Sequence, residues 1–422
     1  MKVEVEPIEE CKRKLVVEAP ADVVQREWER AYGRVQKQAR LPGFRRGHVP
    51  RSLLKVHFSD DVRREVAEHL IPDVYRQAVS EAQLAPVNEP ELQDVRLEEG
   101  SPLSFTAVVE VKPTIALGEY RGLDVQHGAQ PVTDADVDQT LERMRESQAQ
   151  FEARDRAANP GDLVTVDYVL ALEGQEPASQ SGYAFVVGDG SVLPEIDQAV
   201  AGMSPGEERE IGVRLPEDHR REELRGKGGT ATVKLVEVKE KILPELNDDL
   251  ARTLGEFDTL DALRAAVVKE LQARRTAEER HALEEKVVDA LLSRHEFTPP
   301  ASMVMRQVAH QVEHLRERLR RQGVDPDQAQ LDYGKLLTEL RPGAERAVRR
   351  ALMLEAVAER ESIAATDADV DAEVEALARA SQRPAPAVRR MLEKNGDLEG
   401  LTSGLRERKT LEFLVDQARV QS

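Results

Sequence analysis

The sequence predicts a multidomain α+β protein with an α+β domain first, a β-rich domain in the middle and an all-α module at the end. Three observations predict this order. The chain has 422 residues, enough for roughly two to four domains of ~100–200 residues each. Glycine and β-branched residues are concentrated between residues 159 and 241, which is typical of a small sheet. From residue 244 onward, apolar residues recur at helical spacing.

The composition limits the class of protein. Charged residues make up 33% of the chain, apolar residues 40% and aromatic residues 4%, with a formal net charge of -19. Uncharged apolar runs are only a few residues long, so we expect no membrane span. The start lacks the basic and apolar regions of a secretory signal. The single cysteine, Cys11, excludes an internal disulfide, and we expect a reducing cytoplasm.

Residues 1–115 are predicted to form the first domain. Residues 2–19 alternate apolar and charged side chains, which predicts two strands. Asp22 is predicted to cap a helix whose apolar face includes Val24 and Trp28. Two further helices and two further strands are predicted at residues 51–58, 62–84, 92–97 and 103–111. The second of these helices is expected to be interrupted or to begin afresh at Pro72.

The loop after the first helix has an unusual charge. No Asp or Glu occurs in residues 31–59, although the whole chain is acidic. The basic residues of this window are Arg34, Lys37, Arg40, Arg45, Arg46, Arg51 and Lys55, with His48 and His57. A positive island in an acidic chain is typical of a docking patch for a polyanion. A solvated basic loop, with Phe44 packed back on its own helices, is the alternative.

The centre of this island carries a motif: Gly43, Phe44, Arg45, Arg46, Gly47, His48, Val49 and Pro50 follow a basic amphipathic helix. The motif resembles the ribosome-docking signature of the trigger factor family, the bacterial nascent-chain chaperones. The order of segments along essentially the whole chain is similar to that family as well. The resemblance implies that these eight residues bind the ribosome. Phe44 would anchor by burial, and the arginines would pair with rRNA phosphates or an acidic ribosomal side chain.

A connector with a helix is predicted at residues 116–158. Thr133 and Asp136 are expected to form a capping box at the start of that helix. The hexapeptide of residues 133–138, Thr-Asp-Ala-Asp-Val-Asp, recurs at residues 366–371, where we expect a second N-cap. Residues 159–241 resemble the FK506-binding type of prolyl isomerase, a small sheet wrapped around one helix. The residues that carry this resemblance are Val164, Val166, Tyr168, Phe185, Gly188, Gly190, Leu193, Pro194, Gly202, Met203, Gly206, Glu207, Leu215 and Pro216.

The resemblance implies a prolyl pocket lined by Tyr168, Phe185 and Ile196. Prolyl isomerisation needs no acid, base or metal, because its barrier of ~18–20 kcal/mol comes from amide resonance. A dry aromatic pocket lowers the barrier by receiving a twisted imide. Several positions depart from the family pattern, however: Leu170 for Gly, Pro177 for an aromatic residue, Glu195 and Ile196 for Gly and an aromatic residue, His219 for Tyr, and Ala231 for Phe. We therefore expect an intact fold with weak isomerase activity.

Residues 242–422 are predicted to form a helical module with arms. The pattern breaks at residues 298–300, and a helix is expected to begin at Met303. Further helices are predicted at residues 344–361, 367–380, 387–394 and 404–418. Short, charged helices with Ala-rich faces suit thin arms better than one globule. The segment from Phe297 to Val304 resembles part of the C-terminal module of trigger factor.

The leading hypothesis is an ATP-independent chaperone that docks on the large ribosomal subunit at the tunnel exit and holds nascent and unfolded polypeptides. The family is also associated with protein transport and cell division. The alternative is a fully active prolyl isomerase acting on unfolded chains. A nucleic-acid-binding protein is disfavoured because few stacking aromatic residues accompany the basic window. The sequence leaves open whether molecules free of the ribosome form homodimers.

We expect no cofactor and no metal. The residues Gly188, Asp189 and Gly190 are not followed by a phosphate-loop lysine. His310 and His314 share a helix face but lack the intervening Glu of the metalloprotease motif.

Overall fold

The structure is a computed structural model, and it describes residues 1–42, 44–45, 47–126, 128, 130–218, 224–326 and 332–421. The chain divides into two compact units, one of residues 1–128 and 280–422 and one of residues 129–279. Within the described ranges, no helix combines the length and the apolarity that crossing a bilayer requires.

The first unit begins with a four-stranded antiparallel sheet in the order β1-β2-β4-β3. Its strands are β1 (Lys2–Pro7), β2 (Lys12–Ala19), β3 (Glu91–Arg96) and β4 (Leu103–Glu110). The two central strands direct apolar residues to one face, Leu15 and Val17 on β2 and Phe105 and Ala107 on β4, and Thr106 of β4 is buried on the other face. This arrangement gives the sheet one apolar face for helices to cover.

Three helices pack on that face: α1 (Ala21–Gln38), α2 (Arg51–His57) and α3 (Ser59–Glu81). Two sequence predictions are wrong here. Helix α1 begins behind Pro20 without a side-chain cap, so Asp22 lies in the first turn, where its charge suits the helix dipole. Helix α3 runs through Pro72 without a break.

The continuity of α3 has a packing explanation. Its buried residues are Val62, Val66, Leu70, Val74 and Ala78, which recur every four residues on one face. This continuous apolar contact extends on both sides of the proline and offsets the backbone hydrogen bond that proline cannot make.

The remaining helices of the first unit follow the connector. They are α8 (Ala301–Arg321), α9 (Tyr333–Glu361), α10 (Asp367–Ser381), α11 (Ala385–Asn395) and α12 (Asp397–Gln417). Helices α9 and α12 begin earlier than predicted, and α9 contains Pro342. The second capping box is confirmed: Asp369 N–H donates to Thr366 Oγ1 at 3.3 Å.

The connector also contains structure that the sequence did not predict. Strand β5 (Asp124–Gln126) pairs in parallel with β11 (Arg419–Gln421). The connector is also bound at Gly118, a few residues before β5, where the Nε2 of buried His295 accepts the Gly118 N–H at 2.9 Å. Three-residue strands show no periodicity, so neither was visible as a pattern.

The second unit contains a sheet in the order β6-β10-β7-β8, with β9 also pairing with β10. Its strands are β6 (Gln150–Ala153), β7 (Leu163–Leu172), β8 (Ala178–Val186), β9 (Glu208–Arg214) and β10 (Gly228–Ile242). The helices are α4 (Asp134–Ser147), α5 (Pro194–Val200) and α6 (Asp248–Leu254). The capping box at Thr133 is confirmed, whereas β6 and β9 were not predicted.

Helix α7 (Leu260–Ser293) contributes to both units. Leu263 and Val267 pack in a core of the second unit, together with Val137 and Leu141 of α4. Further along, its residues Val287, Val288 and Leu291 are buried in a core of the first unit.

Candidate docking loop and prolyl groove

The C-terminal end of the basic loop is held in place by the buried residue Val49. The side chain of Val49 is fully buried in the core of the first domain, and its carbonyl accepts a hydrogen bond from Gln36 Nε2 at 2.8 Å. Pro50 follows as the N-cap of α2. Gly47 has a φ of +85°, a conformation that glycine adopts at little cost. The end of the loop therefore has a fixed backbone path.

The tip of this loop is exposed. The Phe44 N–H donates to Leu41 O at 3.1 Å, and the His48 N–H donates to Arg45 O at 3.0 Å, so two turns follow one another. The Phe44 side chain is 43% exposed, and Arg45, His48 and Pro50 are exposed as well. Gly43 and Arg46, two residues of the predicted docking set, lie outside the described residues. Two adjacent residues of the loop, Phe44 and Arg45, thus expose an aromatic ring and a guanidinium group to solvent.

Several cations of the basic window are paired with carboxylates of the same domain. Arg34 Nη2 lies 2.6 Å from Glu27 Oε1, and Arg34 Nε lies 2.5 Å from Glu65 Oε1. Lys55 Nζ lies 2.8 Å from Glu99 Oε1. All three carboxylates belong to residues outside the acid-free window. They reduce the positive field that the sequence alone suggested.

Glu99 is the centre of a small cluster. Arg51 also approaches its carboxylate, at 3.9 Å, and the Tyr32 hydroxyl donates to it at 3.1 Å. Burial, followed by this hydrogen bond to Glu99, raises the pKa of Tyr32 to about 12. Burial alone would raise the pKa of Glu99, but the hydrogen bonds from Lys55 and Tyr32 outweigh it and lower that pKa. The Arg51 guanidinium lies 4.6 Å from the centre of the Tyr32 ring.

The second candidate site is a groove of about 790 Å³ in the β-rich unit. Strands β7 and β8 form one wall, and the loop before α5 together with α5 forms the other. Its main lining residues are Val166, Tyr168, Leu170, Tyr183, Phe185, Val192, Leu193, Ile196, Asp197, Leu215 and Pro216. The three residues of the predicted pocket, Tyr168, Phe185 and Ile196, all line this one groove.

Three aromatic rings follow one another along the groove wall. The centroids of Tyr168 and Tyr183 lie 5.9 Å apart, edge to face, and those of Tyr183 and Phe185 lie 6.2 Å apart. Burial raises the pKa of Tyr168, and its hydroxyl donates to Gln180 Oε1 at 2.9 Å. Tyr183 was missed as a pocket residue. Its position two residues before Phe185 on one strand could have identified it, since such residues share a face.

The departures from the family pattern fall in different places. Leu170 and Ile196 line the groove, and Ile196 is only 8% exposed. Ala231 is fully buried in the core beneath it. His219 lies outside the described residues.

Hydrogen bonds to carboxylates hold the rim of the groove. Asp197 Oδ1 accepts the Gly188 N–H at 2.7 Å, which ties the end of β8 to α5. Buried Asp162 binds Arg156 at 2.6 Å and accepts the Asn159 N–H at 2.8 Å. These contacts fix the segment before β7 and the segment after β8, which meet at the same end of the strand pair.

The lining suits an apolar ligand that is bound without acid–base chemistry. Asp197 is the one Asp, Glu, Lys or Arg among the described residues that line the groove, and its carboxylate is engaged by Gly188. Within the described residues, no group of three or more His, Cys, Asp or Glu side chains could hold a metal ion. A groove of this kind can desolvate a peptide segment and hold it against aromatic faces.

Three family models match the chain. Residues 1–144 match the bacterial trigger factor protein, residues 259–416 match the C-terminus of the same protein, and residues 154–237 match the FKBP-type peptidyl-prolyl cis-trans isomerase. The match to the third model covers the groove.

Curated relatives match over nearly the whole length. A trigger factor of Solibacter usitatus is 36% identical over 415 residues, which is 98% of both chains. A trigger factor of Halothermothrix orenii is 33% identical over 424 residues, 99% of both. A solved structure, from work on promiscuous substrate recognition by the trigger factor chaperone, covers 99% of this chain and 100% of its own. Its TM-score of 0.53 at 21% identity indicates a shared fold.

The family and the fold class predicted from the sequence are therefore confirmed. The chain belongs to the trigger factor family, the ribosome-associated chaperones that carry an FK506-binding-type prolyl isomerase domain.

Proposed function

We propose that the chain docks on the large ribosomal subunit at the tunnel exit through the loop of residues 43–50 and holds nascent chains without ATP. The observation that carries the docking assignment is the difference in burial between two apolar residues of the loop. Val49 is fully buried and Phe44 is 43% exposed. The loop thus presents an apolar anchor that its own domain leaves uncovered. Burial of such a ring on a partner is a common source of binding energy.

Electrostatics supports a small contact. Among the described residues, Arg40 and Arg45 form no ion pair, while Arg34 and Lys55 are paired within the domain. We propose that Arg45 and Arg46 pair with rRNA phosphates or with an acidic side chain of a ribosomal protein. Binding should therefore weaken as salt rises.

Co-sedimentation with ribosomes tests the docking assignment. The triple variant Phe44→Ala, Arg45→Ala, Arg46→Ala should stay in the supernatant and unfold at the same temperature as the wild type. The double variant Arg63→Ala, Arg64→Ala is the matched control, because it removes two exposed cations from α3 of the same domain. Unchanged sedimentation of the triple variant would overturn the assignment.

We propose that the helical module together with the N-terminal domain holds client chains. Exposed apolar side chains occur on four of its helices: Met305, Leu337, Leu377 and Met391 are 38–49% exposed. A cavity of about 810 Å³ between residues 112–117 and α9 has a mixed lining, in which Ile115, Leu117 and Leu352 lie beside charged residues of α9. No nucleotide motif accompanies these surfaces, so release follows from mass action.

We propose a division into residues 1–115, 116–158, 159–241 and 242–422, in which the third part is dispensable for holding. The family matches at residues 154–237 and 259–416 support the third and fourth parts, and the match at residues 1–144 covers the first part and most of the second. Deletion of residues 159–241 should leave much of the suppression of client aggregation. A folded deletion variant without any holding activity would make the middle domain the main client site.

We propose that the groove is a weak prolyl isomerase. Its wall keeps the rings of Tyr168, Tyr183 and Phe185, but Ile196 offers a smaller flat surface than the aromatic residue usual in the family. Each ~1.36 kcal/mol of lost transition-state stabilisation lowers the rate tenfold. A fully active isomerase is the alternative.

The variant Ile196→Phe separates the two. It should raise turnover of an Xaa-Pro peptide about tenfold if the missing aromatic floor limits the rate, because Ile196 lines the groove. The variant Ile211→Phe is the control, because Ile211 packs in the same domain on β9. Wild-type turnover equal to that of a relative with all the aromatic residues would contradict the proposal.

We further propose that the protein works in the cytoplasm and that molecules free of the ribosome associate as homodimers. The single cysteine supports a reducing compartment. A dimer would cover the exposed apolar side chains of the helical module that are proposed to hold clients. Analytical ultracentrifugation of the free protein tests this association.

A further inference from the structure

Strand β8 differs from the other strands that lie at the edge of a sheet. Its nine residues, Ala178–Val186, contain no Asp, Glu, Lys or Arg, although 33% of the chain is charged. In the described part of the chain, the other edge strands β1, β3, β6, β9, β5 and β11 each carry at least one charged residue. Strand β3 also has a register shift, near which Asp94 has a φ of +52°. Charges and bulges on edge strands prevent pairing with other chains.

The edge of β8 is open as far as its last residue, Val186, whose carbonyl accepts the Asp189 N–H at 3.2 Å. The strand pairs with β7 on one side, and no other described strand pairs with it. Residues 178–182 and Ala184 are exposed. The Val187 N–H donates to Asp162 O at 2.9 Å, on the β7 side. Because backbone groups alternate along a strand, the amides of Ala184 and Val186 point to the open side.

A bulge limits the length of this edge. The register shifts between Val166 and Tyr168, and opposite the shift Gly182 has a φ of +68° and donates its N–H to Asp167 Oδ1 at 2.8 Å. Two straight stretches remain, residues 178–180 and 183–186. The second is continuous with the groove, because Tyr183 and Phe185 belong to it and line the cavity.

We propose that the open edge of β8 binds an extended, uncharged segment of a client polypeptide by strand addition. The client backbone would pair with the outward amides of Ala184 and Val186, and its side chains would continue into the aromatic groove. Main-chain pairing supplies affinity without a sequence requirement, and alternate side chains enter the adjoining pocket. The segment needs no proline. This inference rests on the client-holding function proposed above.

The charges favour a client over a second copy of the chain. In the homodimer proposed above, exposed apolar side chains of the helical module offset the repulsion between two chains of net charge -19, whereas the exposed residues of β8 are Ala, Ser, Gln and Gly and offer no such offset. An uncharged stretch of an unfolded chain brings no such penalty. Proteins that must not pair usually place charges on the edge, so the absence of charge from β8 is consistent with pairing as its function.

A proline-free peptide tests the pairing directly. The probe is a fluorescent nine-residue peptide of alternating valine and threonine with blocked ends. The control peptide has the same sequence but carries N-methyl groups on alternate residues, which removes the donors of one strand edge. The full-length wild type should bind the methylated peptide at least tenfold more weakly in fluorescence anisotropy. Equal binding of both peptides would overturn the proposal.

Two variants of the protein locate the site. Ala184→Pro removes an outward amide and should weaken peptide binding at least tenfold, since proline is tolerated where an edge N–H faces solvent. Ala184→Lys keeps the amide and adds the charge that the other edges carry, so it should also weaken binding. Val169→Lys is the matched control, because it adds the same charge at an exposed position of β7, inside the sheet.

Hydrogen exchange gives the independent measurement. The unmethylated peptide should slow exchange in residues 183–186 of the wild type and not in Ala184→Pro. Peptide binding that persists in both Ala184 variants would overturn the proposal, as would self-association of the wild type that both variants abolish without any peptide binding. Aggregation suppression without pairing at β8 would overturn the edge assignment alone and leave the holding function standing.

Discussion

The docking loop and the prolyl groove differ in how far function is separated from folding. In the loop, the proposed contact residues Phe44 and Arg45 are exposed, while a different residue, Val49, supports the fold. In the groove, Phe185 and Ile196 are 4% and 8% exposed and belong to the core of their domain. A phenylalanine in the loop is therefore constrained only by the proposed binding, whereas a phenylalanine in the groove is constrained both by the proposed binding and by the packing of its domain.

The sharpest test of this difference is one substitution made in both places. Phe185→Ala should lower the local free energy of unfolding by about 3 kcal/mol, because it leaves a cavity in a packed core. Phe44→Ala should change stability by less than about 0.5 kcal/mol, as is usual for exposed positions. Hydrogen exchange of β7 amides measures the first effect. Fluorescence of Trp28, the single tryptophan and 6% exposed in the N-terminal core, follows the second.

An equal loss of stability in both variants would break the comparison. Val49→Ala serves as the control inside the loop segment. Since Val49 is fully buried, its truncation should destabilise the N-terminal domain although the motif residues at the tip are unchanged.

A second prediction concerns the stability contributed by the buried carboxylate of Asp162, next to the first strand of the groove wall. Asp162 is 4% exposed and bound to Arg156 and to the Asn159 N–H. Burial alone would raise its pKa, but these two hydrogen bonds outweigh burial and hold the pKa below its ordinary value of 3.8. Asp162→Asn should therefore cost about 2 kcal/mol at neutral pH, since a charged hydrogen-bond acceptor is lost from a buried site.

The pH dependence of this cost follows from linkage. A carboxyl group with a lowered pKa in the folded state stabilises fully above its unfolded pKa and loses that contribution as the pH falls through its folded pKa. The stability difference between wild type and Asp162→Asn should thus be constant above about pH 5 and shrink below about pH 4. Urea unfolding of the middle domain at pH 7 and pH 3 would measure it. A difference that grows on acidification would contradict the assigned hydrogen bonds.

The sequence displays the whole of the proposed docking loop as a motif, but it displays the groove only in part. The loop motif consists of consecutive residues, so a single sequence displays it whole. The groove is assembled from β7, β8 and the segment around α5, and only the pairing of Val166 with Tyr183 brings Tyr183 beside Tyr168. A strand pair of this kind depends on register, which a single sequence does not display.

The errors in the fold have related causes. Helix α3 continues through Pro72 because tertiary packing on both sides overrides the local preference of proline. The predicted positive island is partly neutralised, because Glu27, Glu65 and Glu99 reach into it from other segments. Counting charges within residues 31–59 could not detect partners that are distant in sequence.

Neutralisation of the island leads to a further prediction. Glu99→Gln should release Lys55 and Arg51 and strengthen ribosome binding two- to fivefold at low salt, with the gain lost at high salt. The same change should bring the pKa of Tyr32 down from about 12, because it removes the negative charge that accepts the hydrogen bond of the Tyr32 hydroxyl. Quantitative co-sedimentation and ultraviolet titration measure the two effects.

The control for this prediction is Glu4→Gln on β1, which makes the same charge change on the sheet of the domain. Equal strengthening by both variants would mean that net charge, and not the cluster at Glu99, sets the affinity. The loop would then resemble a general polyanion patch more than a defined contact.

The smallest expected effect concerns the hydroxyl of Tyr168. Its hydrogen bond to Gln180 lies at the exposed rim, whereas the ring lines the groove. If the ring provides the aromatic surface and the hydroxyl only orients it, Tyr168→Phe should change prolyl turnover less than threefold and leave the fold intact. Tyr168→Leu should lower turnover further, because it removes the flat surface. A tenfold loss in Tyr168→Phe alone would give the hydroxyl a direct part in binding the imide. Function in the groove would then rest on an exposed atom outside the core, as proposed for Phe44 and Arg45 in the loop, and the contrast between the two regions would disappear.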